Sequence, residues 1–229
     1  MKKAVVIVSG GMDSVTLAHF YAKNGFELSL LSFDYGQRHA KEIQFAAVCA
    51  ERLGAEHRVV DLSSLRSLLP GSALTDDVEV PDGHYAAENM KVTVVPNRNA
   101  IMLAVAWGHA VAIGAEVVAF GAHGGDHFIY PDCRPEFYRA AGLAFGIGNE
   151  GFGNPDLHLE APFINMGKHD IAAMGAELGV PFEETWSCYR GGDRHCGTCG
   201  TCVERKEAFK LAGLQDPTIY EDAAGSCGV

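Results

Sequence analysis

The chain has 229 residues, 48% of them hydrophobic and 21% charged, with a formal net charge of −11. That length and balance suit a soluble globular domain with a sizeable core. The acidic excess and unclustered basic residues argue against a broad nucleic-acid-binding face and favour small ligands. No apolar run approaches 18 residues, and the opening "MKKAVVIVSGG" is too short in its apolar part for a signal peptide. A cytoplasmic protein with no membrane partner is expected.

In chain order, "AVVIVS" (4–9) reads as a short β-branched strand. A helix is predicted over 12–24, with Gly25 just past its end. "FELSLLSFDYG" reads as a second strand, 40–53 as a helix closed by Gly54, and "HRVVDLS" (57–63) as a third strand. Residues 70–95 lose periodicity and read as a long polar loop of the kind that is functional or mobile. An alanine-rich helix is expected over about 98–113, with Asn97 as a candidate N-cap and Gly114 beyond its end. "EVVAFGAH" (116–123) reads as a fourth strand, "RPEFYRAAGLAF" as the entry to a helix, "LHLEAPF" as a fifth strand, and 167–178 as a helix stopped by Gly179.

Strands alternating with helices predict an α/β fold, a doubly wound parallel sheet of Rossmann-like type. Ligands of such sheets bind beyond the carboxyl ends of the strands. The expected organisation is a nucleotide-binding unit over 1–187 and a cysteine-rich helical appendage over 188–229.

The turn "VSGGMDS" (Val8, Ser9, Gly10, Gly11, Met12, Asp13, Ser14) joins the first strand to the first helix. It places free N–H groups at a helix N-terminus, where the dipole contributes about half a positive charge. Ser9 and Ser14 add hydroxyl donors. No G-K-[ST] follows, and the three spaced glycines of a dinucleotide fingerprint are absent. Lys168, in "NMGKHDI" before the last predicted helix of the sheet, is a candidate cation for phosphate, against the plain alternative of a surface lysine.

Seven cysteines occur, and four of them, Cys188, Cys196, Cys199 and Cys202, fall within "CYRGGDRHCGTCGTC". Outside a secreted context that spacing points to metal rather than disulfides. Four thiolates suit structural zinc, with an iron–sulfur cluster as the rival. His195 is a weaker candidate ligand, and Arg190, Arg194, Arg205 and Lys206 are placed to offset thiolate charge. Cys49, Cys133 and Cys227 are scattered.

Around "VVPNRN", Arg98 is a candidate to neutralise phosphate and Asn99 to contact substrate. Within "GGDHFIYPDCRPEF", Asp132 and Asp126 are candidates to accept the paired N–H donors of a guanine-type base, and Arg134 to hold a substrate carboxylate.

The S-G-G-x-D-S pattern resembles the pyrophosphate loop of the adenine-nucleotide α-hydrolases. Together, "SGGMDS", "SFDYGQRH", "VVPNRN", "YPDCRPEF", "ETWSCYRGG" and "HCGTCGTC" resemble the 7-cyano-7-deazaguanine synthases of the queuosine pathway over about 200 residues. The resemblance implies that ATP, with Asp13 helping to position magnesium or the phosphates, activates 7-carboxy-7-deazaguanine so that ammonia yields first an amide and then a nitrile. Each round would release AMP and pyrophosphate. It further implies Ser9 to Ser14 as the ATP loop, Cys188, Cys196, Cys199 and Cys202 as zinc ligands, and a homodimer. The segment "HGGDHFI", which holds Asp126, departs from the family's pattern at the base-recognition wall. Same-fold enzymes that thiolate transfer RNA or couple the acid to a protein amine, and a non-catalytic zinc-knuckle module, stand as alternatives.

Overall fold

The computed structural model describes residues 2–37, 41–76 and 88–221. Five parallel strands, β1 (Lys3–Ile7), β2 (Glu27–Asp34), β3 (Glu56–Asp61), β4 (Val117–Ala119) and β5 (His158–Glu160), form one sheet in the order β3-β2-β1-β4-β5. Among the described residues six α-helices accompany them: α1 (Met12–Lys23), α2 (Lys41–Leu53), α3 (Arg98–Ile113), α4 (Pro135–Gly148), α5 (Lys168–Glu177) and α6 (Gly200–Leu211).

Side chains alternate across the strands, so a sheet covered on both faces needs apolar residues at every position. On one face Ala4, Val6 and Val8 pack with residues of α1, α2, α5 and α6. On the other, Val5, Leu31 and Val118 meet α3, with α4 packed against that cluster. This is why "AVVIV" reads as continuous rather than alternating.

Gly25, Gly54, Gly114 and Gly179 close their helices with positive φ, as the sequence predicts. Other boundaries differ. The fourth and fifth strands have three residues each instead of seven or eight, because the chain leaves the ladder after Ala119 and Glu160 to build the site. Asn97 stands at the start of α3 in the left-handed region (φ 56°), and its side chain makes no cap hydrogen bond. The Asp132 carboxylate does that work instead, accepting from Asn99 N at 3.0 Å.

The predicted loop over 70–95 is partly built into the interior. Ala73, Met90 and Thr93 are fully buried, and Ala73 N donates to Val92 O at 2.8 Å. Residues 77–87 of that loop, the Arg38–His39 end of "SFDYGQRH" with the following Ala40, and Cys227 lie outside the described residues. Among the described residues, no helix is long and apolar enough to cross a membrane.

Candidate active site

The chain runs outward from β1 through β2 to β3, then returns to the other side of β1 as β4. A cleft opens at such a switch point, beyond the carboxyl ends of the strands. Here it is a cavity of about 230 Å³, walled by the Ser9–Ser14 turn, by residues 120–126 after β4, and by the starts of α2 and α3.

The turn's shape is held from behind. Gly10 has φ +90°, and a Cβ there would stand 2.3 Å from the Glu42 carbonyl oxygen, so only glycine lets α2 close on the loop. Its carbonyl accepts from Trp186 N at 2.9 Å. Gly11 is extended (φ −75°) and serves as N-cap of α1. Ser14 Oγ accepts from Ser9 N at 3.1 Å and donates to the Gly11 carbonyl at 3.1 Å. The first-turn N–H groups of α1, on Met12, Asp13 and Ser14, have no partner within the helix, and all three residues line the cavity.

Charge gathers around that helix start. Lys168 Nζ lies 3.1 Å from Asp13 Oδ2 and 2.7 Å from Glu204 Oε2. Burial pulls an ammonium pKa down, but Asp13, Glu204 and Asp126 outweigh it and hold Lys168 above its ordinary value. His123 is buried, with Nε2 3.6 Å from Asp126 Oδ2 and 3.8 Å from Asp13 Oδ2. Its Nδ1 accepts from Gly125 N at 3.1 Å, which assigns the proton to Nε2, facing the carboxylates. Asp13 Oδ1 is buried without a hydrogen-bond partner.

Beyond this charged end the cavity carries an aromatic wall. The Arg98 guanidinium lies 5.9 Å from the Tyr35 ring centre and 5.8 Å from that of Tyr130, inside cation–π range. Thr93 Oγ1 and Tyr130 Oη are 2.7 Å apart, so the buried end of the 70–95 loop fixes that ring. Tyr189 and Glu42 complete this wall. Burial drives the Glu42 carboxyl up to about 7, with Arg98 pulling the other way.

Behind the loop, the four Sγ atoms of Cys188, Cys196, Cys199 and Cys202 lie within 4.8 Å of one another, a donor set that could hold a metal ion. His195 is not part of it, because its Nε2 accepts from Ser187 N at 3.0 Å and its ring packs on Trp186. Arg205 is turned away from the thiols. It is fully buried and bonds Asp216, Thr185 Oγ1 and the Phe182 carbonyl, locking α6 to the segment before Cys188.

Of the residues singled out from sequence, Ser9, Asp13, Ser14, Arg98, Asn99, Asp126 and Lys168 all line the cavity. Asp132 and Arg134 do not. Asp132 is taken up by the start of α3, and the exposed Arg134 donates to the His127 carbonyl. His123, Glu204, Glu42 and the three tyrosines are additions. Tyr35, Tyr130 and Tyr189 sit inside quoted motifs, so their aromaticity was a usable signal, whereas Glu204 on the cysteine-segment helix had none.

A family model described as "Queuosine biosynthesis protein QueC" matches residues 3–213. The 7-cyano-7-deazaguanine synthase of Brucella ovis is 60% identical over 221 residues, covering 96% of this chain and 94% of the relative. That of Sinorhizobium fredii is 60% identical over 220 residues, covering 96% and 92%. Among solved structures, NMN synthetase from Francisella tularensis is similar with a TM-score of 0.48 and 17% identity, covering 93% of this chain and 78% of that one. At that distance neither substrate nor mechanism carries across.

Proposed function

The chain belongs to the queuosine biosynthesis protein QueC family, and from that premise we propose that it converts 7-carboxy-7-deazaguanine, ammonia and ATP into 7-cyano-7-deazaguanine. The observation that carries this reading is the meeting, in one cleft, of a bare helix N-terminus, a buried Lys168 beside Asp13, and an aromatic wall with its own cation and carboxyl.

The substrate carboxylate attacks the α-phosphorus, and the bond to pyrophosphate breaks. Pyrophosphate leaves as a concentrated negative charge, which the N–H groups of Met12, Asp13 and Ser14, the Ser9 hydroxyl and Lys168 are placed to hold, while the Ser14 hydroxyl, bonded to the Gly11 carbonyl, braces the turn. Ammonia then attacks the acyl carbon, loses a proton and expels AMP to leave the amide. In the second round the amide oxygen attacks a new α-phosphorus and expels pyrophosphate, and the adenylated amide then loses both N–H protons and AMP to leave the nitrile. Asp13 and Glu204 keep Lys168 charged throughout. Magnesium fits beside Asp13, whose buried Oδ1 lacks a partner, and would supply charge screening for the phosphates.

We assign the four-cysteine site to one structural zinc. A tetrahedron of ~2.3 Å Zn–S bonds has edges of about 3.8 Å, compatible with sulfurs gathered within 4.8 Å. Four protein ligands leave no open position, so the metal's contribution is to order residues 188–202. Residues 188–229 are thus read as a metal-binding segment attached to a nucleotide-binding unit over 1–187. The exposed Leu143 and Ile147 in the last turns of α4, with Phe152 in the turn after it, support a homodimer. The acidic net charge supports a cytoplasmic enzyme of small molecules without a nucleic-acid partner.

Incubating the purified protein with the acid, ammonium and ATP tests the reading. The expected products are the free nitrile with two AMP and two pyrophosphate per turnover. ADP with orthophosphate, or a mass gain on a protein amine in place of the nitrile, would overturn it.

A further inference from the structure

We propose that Glu42 and Arg98 together read the deazaguanine ring: the Glu42 carboxylate accepts from N1–H and the 2-amino group, and Arg98 donates to the neighbouring exocyclic oxygen. This rests on the synthase reading above and assigns its base-recognition residues.

Three carboxylates line the cavity among the described residues: Asp13, Asp126 and Glu42. Asp13 is committed to Lys168, and Asp126 lies against His123, with Oδ2 3.4 Å from the His123 backbone N. Both belong to the phosphate end. Glu42 stands apart, in the first turn of α2, and the only charged group facing it among the described residues is Arg98 on α3. Its other neighbours are the phenols of Tyr35 and Tyr189. The close approach of its carbonyl to Gly10 fixes the start of α2 against the phosphate loop, so this carboxyl has a set position relative to bound ATP.

A carboxyl kept inside a ligand cavity beside a guanidinium is costly unless donors meet it. The edge of a guanine-type ring presents acceptor, donor, donor in sequence. An arginine N–H followed by two carboxylate oxygens presents the complement, donor, acceptor, acceptor. The rings of Tyr35, Tyr130 and Tyr189 supply flat surfaces for the heterocycle. The same pair also separates the two heterocycles that share this cleft. Adenine turns a lone pair at N1 toward any group that reads this edge, and a carboxylate there is repelled. ATP's own base is thereby directed elsewhere.

The test measures pyrophosphate exchange with the acid and with its analogue bearing hydrogen in place of the 2-amino group. Wild type is expected to discriminate against the analogue by roughly 10- to 100-fold. Glu42→Gln, which keeps the shape and loses one acceptor, is expected to raise the KM for the acid by a similar factor and leave the KM for ATP within about 3-fold. In Glu42→Ala the acid and the analogue become equivalent. A rise confined to the ATP KM in Glu42→Gln, or discrimination retained in Glu42→Ala, would overturn the assignment. Should Glu42→Ala fail to fold, the isosteric variant with the two ligands still decides. A wild type that binds the acid with a 2-amino preference but makes no nitrile fails the synthase reading and leaves the base-reading pair standing. One that binds neither ligand fails both.

Discussion

The glycine turn after β1 and the cysteine segment before α6 are both short, glycine-containing and polar, yet they keep their shapes by different means. The turn is held by packing and backbone bonding: α2 closes on Gly10, Trp186 N bonds the Gly10 carbonyl, and Ser14 bonds back to Ser9 and Gly11. In the cysteine segment, the four thiols that define it are drawn to one point and a metal would supply the closure. One shape comes with the sheet, and the other gathers a donor set that a metal ion could close. The two are also joined, since Glu204 on α6 anchors Lys168 and Trp186 lies just ahead of Cys188.

The largest effect expected from breaking this contrast is metal removal. A structural zinc contributes roughly 10–16 kcal/mol in small peptides. Even partial loss should cost about 5 kcal/mol or more, on the order of 10–20 °C in Tm. Calorimetry of chelated and re-metallated protein checks this, and an unchanged Tm would mean the segment is held by packing after all. Next is Lys168→Ala, expected to lower kcat/KM for ATP by roughly 10²- to 10³-fold. Glu204→Gln should cost about 10-fold or less, because Asp13 still holds the ammonium. Steady-state kinetics separates the two, and equal losses would make Glu204 a direct participant.

Gly10→Ala sharpens the comparison on the other side. With φ at +90° and backbone 2.3 Å from the new Cβ, it should destabilise by roughly 3 kcal/mol. Gly11→Ala, whose Cβ would meet Ser9 Oγ at 3.4 Å, should cost less than about 1 kcal/mol. Urea melts of the pair test whether the turn is held by Gly10 alone.

The smallest effect is on pH. Burial raises the Glu42 carboxyl from 4.5 to about 7, while Arg98 opposes it and Tyr35 and Tyr189 face it. Protonation as pH falls through 7 removes an acceptor, so affinity for the acid should fall by up to about 10-fold per unit, with ATP affinity flat. Stability runs the opposite way. A folded value above the unfolded one means the native state binds the extra proton, so this group's contribution becomes less favourable as pH rises from 4.5 to 7. Glu42→Gln should flatten both profiles, and an unchanged acid KM profile in that variant would place the titration elsewhere.

The alternation of elements, the helix-closing glycines, the serine-flanked turn and the cysteine spacing were all legible in the linear chain, because each is a local device acting within a few residues. Which carboxylates enter the cleft was not. Asp132 looked like the base reader and is taken by the N–H of Asn99. Glu42 looked like one polar residue of a helix and lines the cavity, and Glu204 reaches Lys168 across 36 residues. That allocation is made by the strand order, which brings the starts of α1, α2, α3 and α5 around one crevice and leaves each buried charge to find whatever partner the packing places within reach.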